Sequence, residues 1–202
     1  MKPALCVFVK NLRLGNVKTR LAARVGDAMA LDMYKSMLQH TCHICSPLDV
    51  EKYVFYSDTL EGQDMWTTAL FKKQLQQPGD LGARMQHAFT MLFEEHEKVV
   101  IVGSDCMELT SVIINQAFEV LTSTDVVLGP ALDGGYYLVG MKKLHPVLFK
   151  DIPWSTDKVL VQTLQICNEQ RLSYGLLPVL SDIDQEEDWL RFMNASTESL
   201  SR

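Results

Sequence analysis

Short apolar runs punctuate the chain at Ala4–Val9, Tyr53–Tyr56, Val99–Val102, Val126–Leu128, Tyr137–Met141 and Leu176–Leu180. They are too short for helices, and their Val, Ile, Leu and Tyr content predicts strands. Between several of them the apolar spacing changes to that of a helix. Asp27 opens one such pattern, with Met29, Met33, Met37 and Leu38. Asp80 opens a second, with Leu81, Met85, Ala88, Phe89, Leu92 and Phe93 on one stripe. Thr110 opens a third, through Ile113, Ile114, Ala117, Phe118 and Leu121. Ser155 precedes a fourth, through Val161, Leu164 and Cys167. Asp184-Gln185-Glu186-Glu187 resembles a capping box before Trp189 to Met193.

Strands alternating with helices predict βαβ units. The expected fold is therefore α/β, a mostly parallel sheet flanked by helices on both faces. The 202 residues fit one domain with a full core, spanning 1–202, and show no internal repeat. The serine-rich end from Ser196 to Arg202 is expected to fray. One pair of runs breaks the alternation. In Leu128-Gly129-Pro130-Ala131-Leu132-Asp133-Gly134-Gly135-Tyr136-Tyr137-Leu138-Val139-Gly140 no helix intervenes. Asp-Gly favours a hairpin turn there, which leaves the upstream Gly-Pro and the two tyrosines unexplained.

Composition narrows the class. Hydrophobic residues make up 47% and charged residues 22%, as in an ordinary globular protein, and no apolar run reaches the ~20 residues of a membrane span. Ala4–Val9 meets Lys10 at once, too short for a signal peptide, so a cytoplasmic location is expected with no membrane partner. Cysteines 6, 42, 45, 106 and 167 are an odd number without framework spacing and read as reduced. Cys42-His43-Ile44-Cys45 lacks the second pair a zinc site needs. It reads as small apolar residues near a helix end. Histidines 40, 43, 87, 96 and 145 form no ligand-spaced pair and read as surface or core residues.

Charge is distributed unevenly. The chain carries −6 overall, yet Lys2, Lys10, Arg13, Lys18, Arg20 and Arg24 precede the first acid, Asp27, so the rest carries −12. An acidic protein is a poor nonspecific nucleic-acid binder, and no nucleic-acid partner is expected. A basic start suits a small polyanion or a solvated helix face, and charge alone leaves both open.

In open α/β sheets ligands bind beyond the carboxyl ends of the strands, which directs attention to the residues after each run. The first run leads into Lys10-Asn11-Leu12-Arg13-Leu14-Gly15-Asn16-Val17-Lys18-Thr19-Arg20-Leu21, a basic glycine-containing loop entering a helical segment. Backbone amides with Lys10, Lys18 and Arg20 suit a di- or triphosphate. The spacing matches neither a P-loop nor G-x-G-x-x-G. Val99–Val102 leads into Gly103-Ser104-Asp105, where a strand-end carboxylate suits a hard divalent cation. Taken singly, Asp105 reads equally as a turn or cap residue. Asp133 follows the next run, and Asp182 and Asp184 follow the last. No G-x-S-x-G elbow occurs, which removes triad hydrolysis.

Five ordered motifs now identify a family resemblance. Val17-Lys18-Thr19-Arg20-Leu21-Ala22 is followed by Gly79-Asp80-Leu81-Gly82-Ala83-Arg84-Met85 and Gly103-Ser104-Asp105-Cys106. Gly129-Pro130-Ala131 with Asp133-Gly134-Gly135-Tyr136-Tyr137-Leu138 comes next, then Pro153-Trp154-Ser155-Thr156. Over nearly its whole length the chain resembles the small bacterial GT-A-type glycosyltransferases labelled uncharacterised or arsenosugar-associated. It is more distantly similar to phospholactate and molybdenum-cofactor guanylyltransferases. The resemblance implies the nucleotide-diphospho-sugar transferase fold and a Mg²⁺ or Mn²⁺ ion on Asp105. It implies nucleotide binding by Lys10, Gly15, Lys18, Arg20, Gly82, Arg84, Ser104, Gly134 and Gly135. Lys18, Arg20 and Asp133 would be catalytic, with Asp133 serving the second substrate or the metal environment. Tyr136 and Tyr137 are candidates to wall the pocket. Leu12 and Met107 stand where the family usually has proline, so loop preorganisation is the property in question.

The implied activity is a metal-dependent transfer from a nucleotide-activated donor to a small-molecule acceptor. Glycosyl transfer from a nucleotide-sugar is the first reading. Nucleotidyl transfer from an NTP to a phosphorylated acceptor is the second, and a nucleotide-binding module without turnover is the third.

Overall fold

All four residues of Val99–Val102 are buried, and so are five of the six in Ala4–Val9. Strands covered on both faces carry such unbroken apolar runs, because every side chain meets a helix layer. The computed structural model describes residues 2–199, with side chains through Asn194. Strands β1 (Ala4–Val9), β2 (Glu51–Tyr56), β3 (Lys72–Leu75), β4 (Val99–Val102), β5 (Val126–Pro130), β6 (Tyr136–Met141) and β7 (Tyr174–Leu176) form one sheet in the order β3-β2-β1-β4-β6-β5-β7. Helices α1 (Thr19–Val25), α2 (Asp27–Cys45), α3 (Leu81–Leu92), α4 (Ser111–Val120), α5 (Val159–Glu169) and α6 (Glu186–Ser199) cover it, with a 3₁₀ turn at Pro146–Phe149. The α/β sheet is mostly parallel. Among the described residues only β6 runs antiparallel, to both β4 and β5.

The period-2 alternation of β1 divides the core. Leu5, Val7 and Val9 face α1, α2 and α4 through Leu21, Met33, Met37, Ile114 and Leu121, and Trp189 and Phe192 of α6 pack on the same side. Ala4 and Cys6 face α3 and α5 through Met85, Ala88, Phe89 and Cys167. Asp80 accepts a hydrogen bond from the Ala83 amide at 2.8 Å, and Thr110 caps α4 in the same way from Ile113. These are the expected starts of α3 and α4.

Several expectations change. Edge strand β3 reads Lys-Lys-Gln-Leu, polar and half exposed, so it carried no apolar signal; lysines on an edge discourage further strand pairing. β7 ends at Leu176; beyond it the Leu177 amide donates to the Leu128 carbonyl and Leu180 bridges Ala131. α5 begins at Val159 rather than next to Ser155, which sits at φ +65° in the preceding loop. Met29 and Leu81, placed on buried stripes by spacing, are 55% and 44% exposed at the first turns of their helices. The chain from Ser196, expected to fray, continues α6 to Ser199; residues 200–202 lie outside the described residues.

The β5–β6 hairpin accounts for the glycines around Asp133. Gly134 has φ +88°, and a Cβ there would lie 2.3 Å from the Asp157 carbonyl oxygen. Its room is taken by the chain itself. At Gly129 a Cβ would lie 2.4 Å from the Tyr137 ring, whose hydroxyl donates to the Pro178 carbonyl at 2.9 Å and fixes it in place. Tyr137 is thus the core member of the tyrosine pair, and Gly129 is its socket.

Gly129→Ala should destabilise the fold by about 2–3 kcal/mol in urea unfolding, the cost of overpacking a site that cannot give way. Combining it with Tyr137→Leu should cost less than the sum of the single changes, and strict additivity would contradict the contact.

Candidate functional site

Strand order sets where the site forms. The chain leaves β1 toward β2 on one side and reaches β4 on the other, so a crevice opens where β1 and β4 end side by side. Val7 pairs with Val102, which places Lys10 and Ser104-Asp105 at one sheet edge. β6 runs the other way, so its beginning, not its end, reaches this edge, where the Gly103 amide donates to the Tyr137 carbonyl at 3.1 Å. The segment after β7 is tied in by the Ile183 amide, which donates to the Asp105 carbonyl at 2.9 Å. That bond brings Asp182 and Asp184 beside Asp105.

The resulting cavity, of about 660 Å³, gathers residues from every part of the chain. Of the expected site residues it is lined by Lys10, Lys18, Arg20, Arg84, Ser104, Asp105, Asp133 and Gly135. It is not lined by Gly15, Gly82 or Gly134. Gly15 turns the first loop at φ +76° beside Asp27. Gly82 admits the Trp154 indole, which a Cβ would meet at 2.4 Å. These glycines shape the walls through chain packing. Tyr136 lines the cavity in edge contact with Trp154, at 6.4 Å between ring centroids.

At the centre Lys18 Nζ lies 2.8 Å from Asp105 Oδ2 and 3.7 Å from Asp184 Oδ1. The Lys18 side chain is 9% exposed. Its backbone sits in the left-handed region at φ 46°, ψ 50°, just before α1, a conformation that costs a non-glycine residue about 1 kcal/mol or more. Burial opposes its charge, but Asp105, Asp184 and Asp182 outweigh this and raise its pKa above the ordinary lysine value. Burial likewise opposes ionisation of Asp105, and Lys18 overcomes it, holding that carboxyl below its usual range. Arg20 Nη1 donates to Asp184 Oδ2 at 2.7 Å. The expected capping role of Asp184 is therefore replaced. Its carboxylate serves the cations, while Asp188 accepts from the Asp184 and Gln185 amides at 3.1 and 2.9 Å.

Asp182 is the residue that sequence reading undervalued. Its Oδ1 is buried without a hydrogen-bond partner. Burial, with Asp105 and Asp133 nearby, pushes its carboxyl up to about 8. The sequence shows it only as one acid among several after β7. Tyr34, a helix residue with no motif around it, was not anticipated either. It is buried, its hydroxyl accepts from the Lys10 amide at 2.8 Å, and it pairs with Ser104 Oγ at 3.0 Å. Asp133 Oδ1 accepts from the Gly135 amide at 2.8 Å, so it shapes its own turn as well as lining the cavity.

The first loop is held without the missing proline. Asn11, 3% exposed, donates to Thr59 and Glu61 and accepts from the Asp58 and Thr59 amides. Met107 packs against the core in the other departure. The remaining candidates stay structural. Cys42 donates to the Met65 carbonyl, Cys45 is buried, and His96 bridges Tyr53 and the Lys2 carbonyl.

A family model described as "Uncharacterized protein conserved in bacteria (DUF2064)" matches residues 41–156. The chain belongs to this family. The match includes Arg84, Asp105, Asp133 and Trp154, while Lys18 and Asp182 lie outside it. No curated protein matches the sequence. A crystal structure from Desulfovibrio desulfuricans G20, provisionally assigned as a nucleotide-diphospho-sugar transferase, shares 30% identity over 92% of this chain and 84% of that one, with TM-score 0.84. CMP:2-keto-3-deoxy-manno-octonic acid synthetase complexed with CTP aligns at TM-score 0.63 and 8% identity, covering 98% and 100% of the two chains. Glucosyl-3-phosphoglycerate synthase from Mycobacterium tuberculosis, in complex with Mn²⁺, UDP and glucosyl-3-phosphoglycerate, aligns at 0.57 and 11%, covering 94% and 74%. The last two share the fold. The first is a transferase by name, and this chain is consistent with a transferase. Among the described residues no helix is long and apolar enough to cross a membrane.

Asp182 tests the electrostatics of the cluster. Its folded-state pKa lies above the unfolded value, so its favourable contribution is full below about pH 4 and falls away as pH rises toward 8. In EDTA-containing buffer Asp182→Asn should match the parent near pH 4 and melt a few degrees higher at pH 8. A gap that does not widen with pH would contradict the buried carboxyl.

Proposed function

We propose that the cavity binds a nucleotide-activated donor with a divalent cation and transfers a glycosyl group to a small-molecule acceptor. The observation that carries this reading is the convergence of Lys18 and Arg20 with Asp105, Asp182 and Asp184 in one cavity. The 30%-identical transferase-like structure favours the glycosyl form. A fold relative complexed with CTP favours a second reading, nucleotidyl transfer from an NTP to a phosphorylated acceptor.

The residues fit a hard divalent cation. Asp182 Oδ1 is a buried carboxylate oxygen with no partner, beside a second carboxylate on Asp105. Among the described residues no three His, Cys, Asp or Glu side chains are gathered as a ready ligand set. Magnesium needs no more than one or two carboxylates, completing its shell with phosphates and water. Asp105 and Asp182 would hold it. When bound, Mg²⁺ or Mn²⁺ supplies charge neutralisation for the phosphates of the donor.

The chain's own groups do the rest. Lys18 and Arg20 neutralise the charge that develops on the departing diphosphate. Asp133 orients the acceptor or takes its proton as the new bond forms. Tyr136 and Trp154 wall the cavity and exclude water.

Release of nucleoside diphosphate from each nucleotide-sugar, and of pyrophosphate from each NTP, with Mn²⁺ and an acceptor panel, separates the two reactions; neither product from any donor would remove both. Asp105→Asn should reduce turnover by at least about a hundredfold, the loss of a metal-assisted step. Lys18→Ala should weaken nucleotide binding about tenfold to a hundredfold, as for one charge-assisted contact, with a shallower salt dependence. Unchanged affinity would reject the phosphate role.

A further inference from the structure

The geometry points to Lys18 as a built-in counter-ion that competes with the divalent cation for the carboxylate cluster and is drawn off by the donor's phosphates. This rests on the reading of Asp105 and Asp182 as the cation's ligands. The Lys18 ammonium is 2.8 Å from Asp105 and 3.7 Å from Asp184, on a side chain only 9% exposed. It neutralises the carboxylate that the cation needs. Two full positive charges share a few ångströms of buried space only at high cost, because low dielectric strengthens like-charge repulsion as it does attraction.

Removing Lys18 without replacement would leave the half-buried Asp105 carboxylate without its cationic partner, which is unfavourable. The ammonium is therefore held until something else neutralises the cluster. A nucleotide with its cation satisfies both ends of the exchange. The cation takes the carboxylates, and the phosphates take the ammonium. Lys18 precedes α1 with its backbone in the left-handed region. Its neighbour Arg20, 69% exposed and paired to Asp184, already faces solvent and need not move. Metal and nucleotide then bind with positive coupling, each raising the affinity for the other by the same factor.

The test is Mn²⁺ binding to the nucleotide-free chain, followed by electron paramagnetic resonance of free Mn²⁺. Lys18→Met should tighten Mn²⁺ about tenfold or more, Lys18→Gln should do the same, and Lys18→Arg should stay near the parent. Asp105→Asn should weaken binding in every background. In the parent, ¹⁵N-labelled lysine should show a slowly exchanging Lys18 ammonium that Mg²⁺ alone perturbs only at high concentration. That measurement stands even if a neutral variant fails to fold. Mn²⁺ affinity unchanged or weakened in Lys18→Met and Lys18→Gln, or a parent ammonium that exchanges freely from the start, would overturn the counter-ion role. Asp105→Asn leaving Mn²⁺ binding intact would instead overturn the cation site itself, so the two failures are told apart.

Discussion

The ion pair between Lys18 and Asp105 is the constraint around which the site is arranged. It joins a left-handed residue at the start of α1 to the tip of β4, across 87 positions of sequence. Neither group is well placed alone. A lysine with its ammonium nearly out of solvent and a carboxylate at a buried strand end each lose hydration, and each is kept ionised by the other. The pair holds the basic loop over the acidic edge, and the cavity is the space left around it.

That arrangement needs supports that do no chemistry. Asn11 ties the first loop to the segment after β2 through several hydrogen bonds at 3% exposure. Tyr34 joins the Lys10 amide to Ser104, so α2 fixes the distance between the β1 and β4 ends. Ile183 bonds the Asp105 carbonyl and delivers Asp182 and Asp184 to the cluster. Gly82 leaves space for Trp154, which meets the Tyr136 ring edge-on. A rigid sheet edge with several independent tethers is how a fold holds charged groups close at modest strain.

The acidic side of the cluster is in excess. Asp182 has no partner for one oxygen, and its elevated carboxyl registers the proximity of Asp105 and Asp133. Sites with perturbed carboxylates in a cleft are where function concentrates, because a fold has no structural reason to collect like charges. The family relation through residues 41–156 and the transferase fold relatives bear on the same cavity from outside it.

Much of this was legible along the chain. Doubly covered strands gave continuous apolar runs, so β1, β4 and β6 could be read directly, and Asp80 and Thr110 marked helix starts by their own capping bonds. The excess of cations before Asp27 foretold the basic loop. Local signals failed wherever a residue's role belonged to a distant partner. β3 is polar because it is an edge, and Asp184 read first as a cap because the local capping pattern outweighed its place at the acidic edge. Gly134 looked like room for a ligand, while its space belongs to Asp157 from another segment. Periodicity and capping act within a few residues and are written in sequence. Charge pairing at 2.8 Å across the chain exists only once strand order has brought the β1 and β4 ends together.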